Sequence, residues 1–453
     1  MVKKKLFHTV LICGFSLAFL FNASKVPEYE YPLFRIVIDP GHGGVSMDPK
    51  SLHGDRYDAL SGNYLDPFKE GAARGRDWEH KIVYRVARKA YNILYDCSPD
   101  GDFKKFNKIL KKYSNTKAKR IYILPMLSRG DSISRSEAKK MKEPNGEFRL
   151  FDYPGEDKRT MPGRISRINR FKPQLVVSLH CAKKAPREFK GMNPVLVAPY
   201  SLLSKGLEYL QKKRSSKKFF YRHEMRDWFK ENIKRSSFNW FLNDTSLYFT
   251  SYPLDKKQHV KLDKFKGYRY NMVTWKYRDS PGWERAARFH KPGTRYSNSY
   301  KTIAPNGKFW EREKSKFEQY RRDGGPEGYG GDNAYASYEI IRHMLQALKK
   351  SGNYHYRNIP GKSYNSVYIV PLHVNAVSAF VELGYLDRWR DRRLLTKKQD
   401  ILAEGIAVGI YSLLTGLKPK DKTFRHRPRG KKIDLDKYQI STDKSYFDIV
   451  TGE

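Results

Sequence analysis

Apolar positions along the chain follow two rhythms. Short, β-branched apolar runs at residues 34–38, 121–124, 175–179, 194–198, 367–370 and 378–383 have the length and composition of buried strands. Between them the spacing changes to 3.6. Residues 78–95 place Ile82, Val83, Val86, Ala90, Ile93 and Leu94 on one helical stripe, residues 334–349 repeat the pattern with Ile340, Ile341, Met344, Leu345 and Leu348, and residues 401–417 form a strongly apolar helix. A short helix is predicted at 164–171, stopped near Pro173, while 45–75 and 129–160 read as loop. Strands alternating with helices predict an α/β fold, a mixed twisted sheet of the phosphorylase/hydrolase-like kind with helices on both faces.

The rhythm breaks between residues 201 and 330. This stretch holds Trp228, Trp240, Trp275, Trp283 and Trp310, five of the 7 tryptophans, and is strongly basic. It is too aromatic for a disordered linker and reads as a folded insertion or lid, or as an elaborated loop without its own core. The sheet-forming domain then comprises residues 34–200 and 331–417. Residues 418–453 form a basic tail with little periodicity, expected to be extended.

Lys3, Lys4 and Lys5 precede about 16 mostly apolar residues, Leu6 to Phe21, so residues 1–24 read as a signal peptide or an N-terminal anchor. The chain is therefore expected to be exported, to the periplasm or cell envelope. The formal net charge of +41 calls for an anionic partner, and export makes nucleic acid a poor one. Three cysteines exclude a disulfide-stapled scaffold and a cysteine-rich zinc domain.

Four residues stand out by placement. His42 lies in the turn DPGHGG after the first strand, and His180 follows the strand 175–179; sites in α/β sheets collect at such ends. Glu79 shares a helical face with Ile82, Val83 and Val86, where an isolated charge is costly. Glu382 interrupts the apolar run SAFVELGYL. Two imidazoles and a carboxylate are a catalytic zinc set, and a second carboxylate can act as base for the metal's water. Other readings stay open on spacing alone: His42 as an ordinary turn residue, Glu79 paired with Arg76 or Arg164, Glu382 paired with Arg388 or Arg390. Cys181 could approach a metal or pack as a small apolar residue, and His373, near Glu382, could assist a ligand.

The motifs, in order, resemble a known family. IVIDPGHGG (36–44), GAARGRDWEHKI (71–82), SRGD (128–131), GRISRINRFKPQLVVSLH (163–180) and FVELGYL (380–386) are similar to successive segments of the zinc-dependent N-acetylmuramoyl-L-alanine amidases of the type 3 family. The resemblance covers about 34–200 and 331–417. It implies a zinc ion held by His42, Glu79 and His180, with Glu382 catalytic and Arg129 and Arg164 in the shell behind the ligands. It implies hydrolysis of the amide between N-acetylmuramic acid and L-alanine, with peptidoglycan as partner. Membrane attachment through the N-terminal segment and a protein activator remain open. The sequence departs from the family in Cys181 and Ala182 after the second histidine, in the long stretch between His42 and Glu79, and in the insertion. A non-catalytic peptidoglycan-binding envelope protein and a zinc peptidase cutting elsewhere in the stem peptide are the alternatives.

Overall fold

The computed structural model describes residues 29–43, 57–58, 63–64, 70–131, 148–150, 153–154, 160–184, 191–197, 320, 328–355, 359–361, 363–366, 370–371 and 374–438. The leader, His373 and the insertion, apart from Tyr320 and residues 328–330, lie outside the described residues.

One sheet draws strands from both sides of the insertion. Its strands are β1 (Leu33–Pro40), β2 (Tyr122–Leu127), β3 (Leu175–Ala182), β4 (Asn193–Val197), β5 (Tyr364–Ser366) and β6 (Val377–Tyr385). They lie in the order β5-β4-β6-β3-β1-β2. β2, β1, β3 and β6 run parallel, and β4 is antiparallel to β6, so the sheet is mixed as expected. The helices are α1 (Glu79–Tyr95), α2 (Phe103–Tyr113), α3 (Arg164–Phe171), α4 (Asp332–Lys350), α5 (Trp389–Lys397) and α6 (Gln399–Thr415).

Side chains of a strand alternate between its two faces. Ile36, Ile38, Leu175, Val177, Leu179, Ala379 and Val381 pack with α1, α4 and α6 into the larger core. Val37 and Val176, on the opposite face, pack with Ile168 of α3, Val370, Val374 and Ala376. Helices therefore cover both faces, and the period-two pattern of each strand determines which core each side chain enters.

Two helices, α2 and α5, were not anticipated, because lysines and arginines are as numerous as the apolar residues in the first and outnumber them in the second. Of the strand expected at 367–370, residues 367–369 lie outside the described residues and Val370 is helical; the described strand here is Tyr364–Ser366. Residues 418–438 are extended but not free. Phe424, Ile433 and Leu435 are buried in the larger core, and the buried Glu339 of α4 accepts the backbone N–H groups of Arg429 (3.0 Å) and Gly430 (2.7 Å).

His343 lies one turn beyond Glu339, fully buried, with neither ring nitrogen hydrogen-bonded; the nearer Glu339 oxygen is 3.9 Å away. Burial pushes its pKa from 6.5 down to about 4, against the pull of Glu339 and with the help of Arg342. The folded state thus keeps this imidazole neutral while an unfolded chain binds a proton below pH 6.5. Stability falls with pH through the window from 6.5 to 4, by about 3 kcal/mol in total. Denaturant titrations across that window should show this loss in the native protein and its attenuation in His343→Leu.

Candidate metal centre

The site forms at the C-terminal ends of the parallel strands. β1 ends in Pro40, and the following turn puts His42 at φ 58, a left-handed conformation costly for a residue with a side chain. His180 lies within β3, two residues before its end rather than beyond it as the sequence suggested. Its side chain is on the α3 face, stacked on Phe380 of β6 with ring centroids 4.4 Å apart. Glu79 is the first residue of α1 and comes from the opposite layer, over the top of the sheet. Its position in the first helical turn favours a negative charge.

The three side chains converge. Glu79 Oε1 is 3.3 Å from His42 Nε2 and 3.1 Å from His180 Nδ1. Ligand atoms of the three residues all lie within 4.8 Å of one another. The second carboxylate oxygen, Oε2, accepts the Ala72 N–H at 2.6 Å, while Oε1 also accepts the Cys181 N–H at 2.9 Å. Neither Arg76 nor Arg164 is the partner of Glu79; the histidines are. Burial acts to raise the Glu79 pKa, but the His42 and His180 imidazoles outweigh it and hold the carboxyl below the usual carboxylate range. Burial pushes His180 the other way, favouring the neutral imidazole a metal ligand must present.

Glu382 sits beside this group. It pairs in register with His180 on the neighbouring parallel strand, so the two side chains share a face about one strand spacing apart. It is 7% exposed, and its Oε2 has no hydrogen-bond partner. The arginines suggested as its partners are engaged elsewhere, Arg388 with Asp391 and Arg390 with His355. Burial and then the charge of Glu79 push its pKa well above the usual value. A register shift follows it, between Glu382 and Tyr385, of the kind that re-aims side chains beside active sites.

Two glycines make room for the cluster. A Cβ on Gly41 would fall 2.2 Å from the His180 ring, and one on Gly71, at φ 82, would meet Glu79 Oε2 at 2.5 Å. Gly41→Ala is therefore expected to displace His180 and weaken metal binding at least tenfold, read by competition with a chromogenic chelator.

Behind the ligands are two arginines, each 2% exposed. Arg129 donates to the carbonyls of Pro40 (2.9 Å), Gly41 (3.0 Å) and His80 (2.9 Å). Arg164 donates to the His42 carbonyl (2.9 Å) and the Phe148 carbonyl (3.3 Å) and faces Asp39 at 3.5 Å. Asp39 in turn accepts the hydroxyls of Ser128 and Ser178. The strained turn carrying His42 is thus held through its backbone from two sides.

No family model and no curated protein sequence matches the chain. Among solved structures, 15 chains match. One is an N-acetylmuramoyl-L-alanine amidase from Clostridium difficile 630, 13% identical over 84% of this chain and 96% of its own, with TM-score 0.32. Another is the amidase Ami1 from Mycobacterium smegmatis, 12% identical over 83% and 94%, TM-score 0.32. A third is the CwlD amidase from Clostridioides difficile in complex with the GerS lipoprotein, 11% identical over 83% and 96%, TM-score 0.31. At these identities and scores, the case for function rests on the geometry of the site.

That geometry fits a divalent ion. Bonds of about 2.0–2.1 Å in tetrahedral zinc set ligand atoms about 3.3 Å apart. The two separations from Glu79 Oε1, 3.3 and 3.1 Å, are of that size. A cation would also offset the cost of burying Glu79 and Glu382 side by side. His80, adjacent to Glu79, is no part of the set: its Nδ1 meets the Glu70 carbonyl at 2.7 Å. Cys181 contributes its backbone N–H, while burial raises its thiol pKa well above the ordinary value. The sequence reading missed Asp39, Gly41, Gly71 and Phe380. Asp39 and Gly41 stood inside the DPGHGG motif, but nothing in one sequence separates a buried anchor from a turn residue.

Proposed function

We propose that the chain is a zinc-dependent N-acetylmuramoyl-L-alanine amidase, hydrolysing the amide between N-acetylmuramic acid and L-alanine in peptidoglycan. One observation carries this reading: two imidazoles and a carboxylate meet at ligand spacing with a second, unpartnered carboxylate beside them. The choice of bond rests on the ordered motifs that resemble that family.

His42 Nε2, His180 Nδ1 and Glu79 would hold the zinc ion. When bound, the ion supplies a water of lowered pKa and polarises the scissile carbonyl. The Ala72 and Cys181 N–H groups orient the Glu79 carboxylate. Arg129 and Arg164 fix the backbone of the turn that aims His42. Glu382 Oε2, free of other hydrogen bonds, takes the proton from the attacking water and delivers it to the leaving amine nitrogen. Phe380, stacked on the His180 ring, keeps the imidazole plane fixed and excludes water from one side. In this reading the chain is exported and acts in the cell envelope, with residues 34–200 and 331–417 as its catalytic domain.

Mass spectrometry of digested sacculi tests it. Free lactyl ends on muramic acid together with intact stem peptides are expected. Cuts within the stem would instead make the protein a zinc peptidase. Metal-loaded protein that binds sacculi and releases nothing would make it a wall-binding protein.

A further inference from the structure

The end of the sheet opposite the catalytic site has its own chemistry. Leu33 and Tyr122, the first residues of β1 and β2, pair there. Tyr29 and Tyr31 pack on Tyr122, with ring centroids 5.8 and 5.5 Å apart. The Arg120 guanidinium lies over three rings, 4.5 Å from Phe103, 5.2 Å from Tyr122 and 5.9 Å from Tyr31. Phe103 is the first residue of α2. The first described residues, Tyr29 and Tyr31, and the start of α2 are therefore neighbours.

The helix α2, sequence FKKFNKILKKY, contains no carboxylate. Phe106, Leu110 and Tyr113 are buried, and Lys104, Lys108 and Lys111 are exposed, at i, i+4 and i+7 on the opposite face. Of the flanking lysines, Lys112 pairs with Glu404 at 2.8 Å and Lys105 faces Asp96. Lys117 and Lys119, just before β2, extend the exposed positive surface. Two of the exposed large hydrophobic residues, Tyr29 (36%) and Tyr95 (43%), are also at this end. Tyr95 is two residues before Cys97, whose carbonyl accepts the Ile123 N–H of β2 at 3.0 Å.

We propose that the lysine face of α2 rests on an anionic lipid bilayer, the one entered by the apolar run Leu6–Phe21. Chain length sets the distance: from Asn22 to Tyr29 the backbone spans at most about 28 Å. A bilayer entered at Phe21 cannot be farther than that from Tyr29, and α2, about 16 Å long, begins beside it. The charge is of the sign that anionic headgroups attract, and the exposed tyrosines are of the type that occupies membrane interfaces. β1, about 26 Å long, separates this end from the turn that carries His42, so the catalytic cleft stays clear of the lipid. Among the described residues no helix is long and apolar enough to cross a membrane, so this contact is peripheral. The proposal does not depend on the hydrolytic reading.

Binding of the full-length chain to vesicles decides it. Wild type is expected to bind phosphatidylglycerol-containing vesicles more tightly than pure phosphatidylcholine vesicles, the difference shrinking with salt. The combined Lys104→Gln, Lys108→Gln and Lys111→Gln variant should lose about fivefold per lysine on anionic vesicles, about a hundredfold in all, and nothing on neutral ones. The corresponding Arg variant should keep wild-type affinity. If the triple variant fails to fold, Lys108→Gln alone, with an expected fivefold loss, carries the test. Unchanged anionic binding in the Gln variant, or equal binding of wild type to both vesicles, overturns the proposal. So does tighter, lysine-dependent binding to a soluble phosphate polymer than to vesicles, which would assign the face to a wall polymer.

Discussion

Glu382→Gln should lower the rate of sacculus hydrolysis by about 10²- to 10⁴-fold, the range expected when a positioned acid–base group is removed. The substitution keeps the volume of the side chain and its place beside His180 on the sheet, so the pocket should not collapse. What disappears is the ability to accept a proton at Oε2, the atom that has no other partner. Metal content should be unchanged, because His42, Glu79 and His180 are untouched. Folding should be unharmed or improved, since a neutral amide replaces a buried acid whose ionised form is disfavoured by burial and by Glu79. Three measurements separate the roles: turnover on sacculi, zinc per chain and thermal midpoint. Wild-type turnover in the variant would remove Glu382 as the base. Loss of zinc together with activity would instead make it a ligand or a support for one.

The second large effect concerns the shell behind the metal. Arg164→Met leaves Asp39 fully buried without its cation, and breaking one side of such a pair costs about 3–5 kcal/mol. Burial opposes ionisation of Asp39, but Arg164, helped by Ser128, His180 and Ser178, holds its pKa below 3.8. The stabilisation is therefore present above pH 3.8 and lost as the pH falls through the lower, folded-state value. The same substitution removes the donor from the His42 carbonyl, 2.9 Å away, so zinc affinity should fall by about 10–100-fold. Adding Asp39→Asn should restore part of the stability, since no unpaired charge then remains buried, but not the zinc affinity. Denaturant melts of the two single variants and the double variant test the coupling. Additive stability losses would show that Asp39 and Arg164 do not act as a pair.

Strands and amphipathic helices of the core were legible because their patterns report burial directly. The run LVVSL and the stripe Ile82, Val83 and Val86 are such cases, and the alternation of Ile36, Val37 and Ile38 proved to feed two separate cores. The helices α2 and α5 were not legible. Their lysines and arginines are solvated, and only Phe106, Leu110 and Tyr113 in the first and Leu395 in the second mark a buried side. The tail 418–438 looked weakly structured because its attachment runs through backbone N–H groups and a few separated apolar residues, which leave no periodic trace.

For the site, the sequence by itself determined the donor atoms: two imidazoles, a carboxylate on a helix that should be apolar, and a carboxylate on a strand that should be apolar. It could not determine which charges neutralise which, because Arg76, Arg164, Arg388 and Arg390 were all candidates for the two acids. That was decided by tertiary structure. The register of β3 against β6 puts His180 beside Glu382, and the packing of α1 over the strand ends brings Glu79 within 3.3 Å of both imidazoles. Arg164, the one buried candidate, went instead to the His42 carbonyl and to Asp39. The physical reason is that pairing energy depends on distance and burial, and residues dozens to hundreds of positions apart acquire both only when the sheet closes.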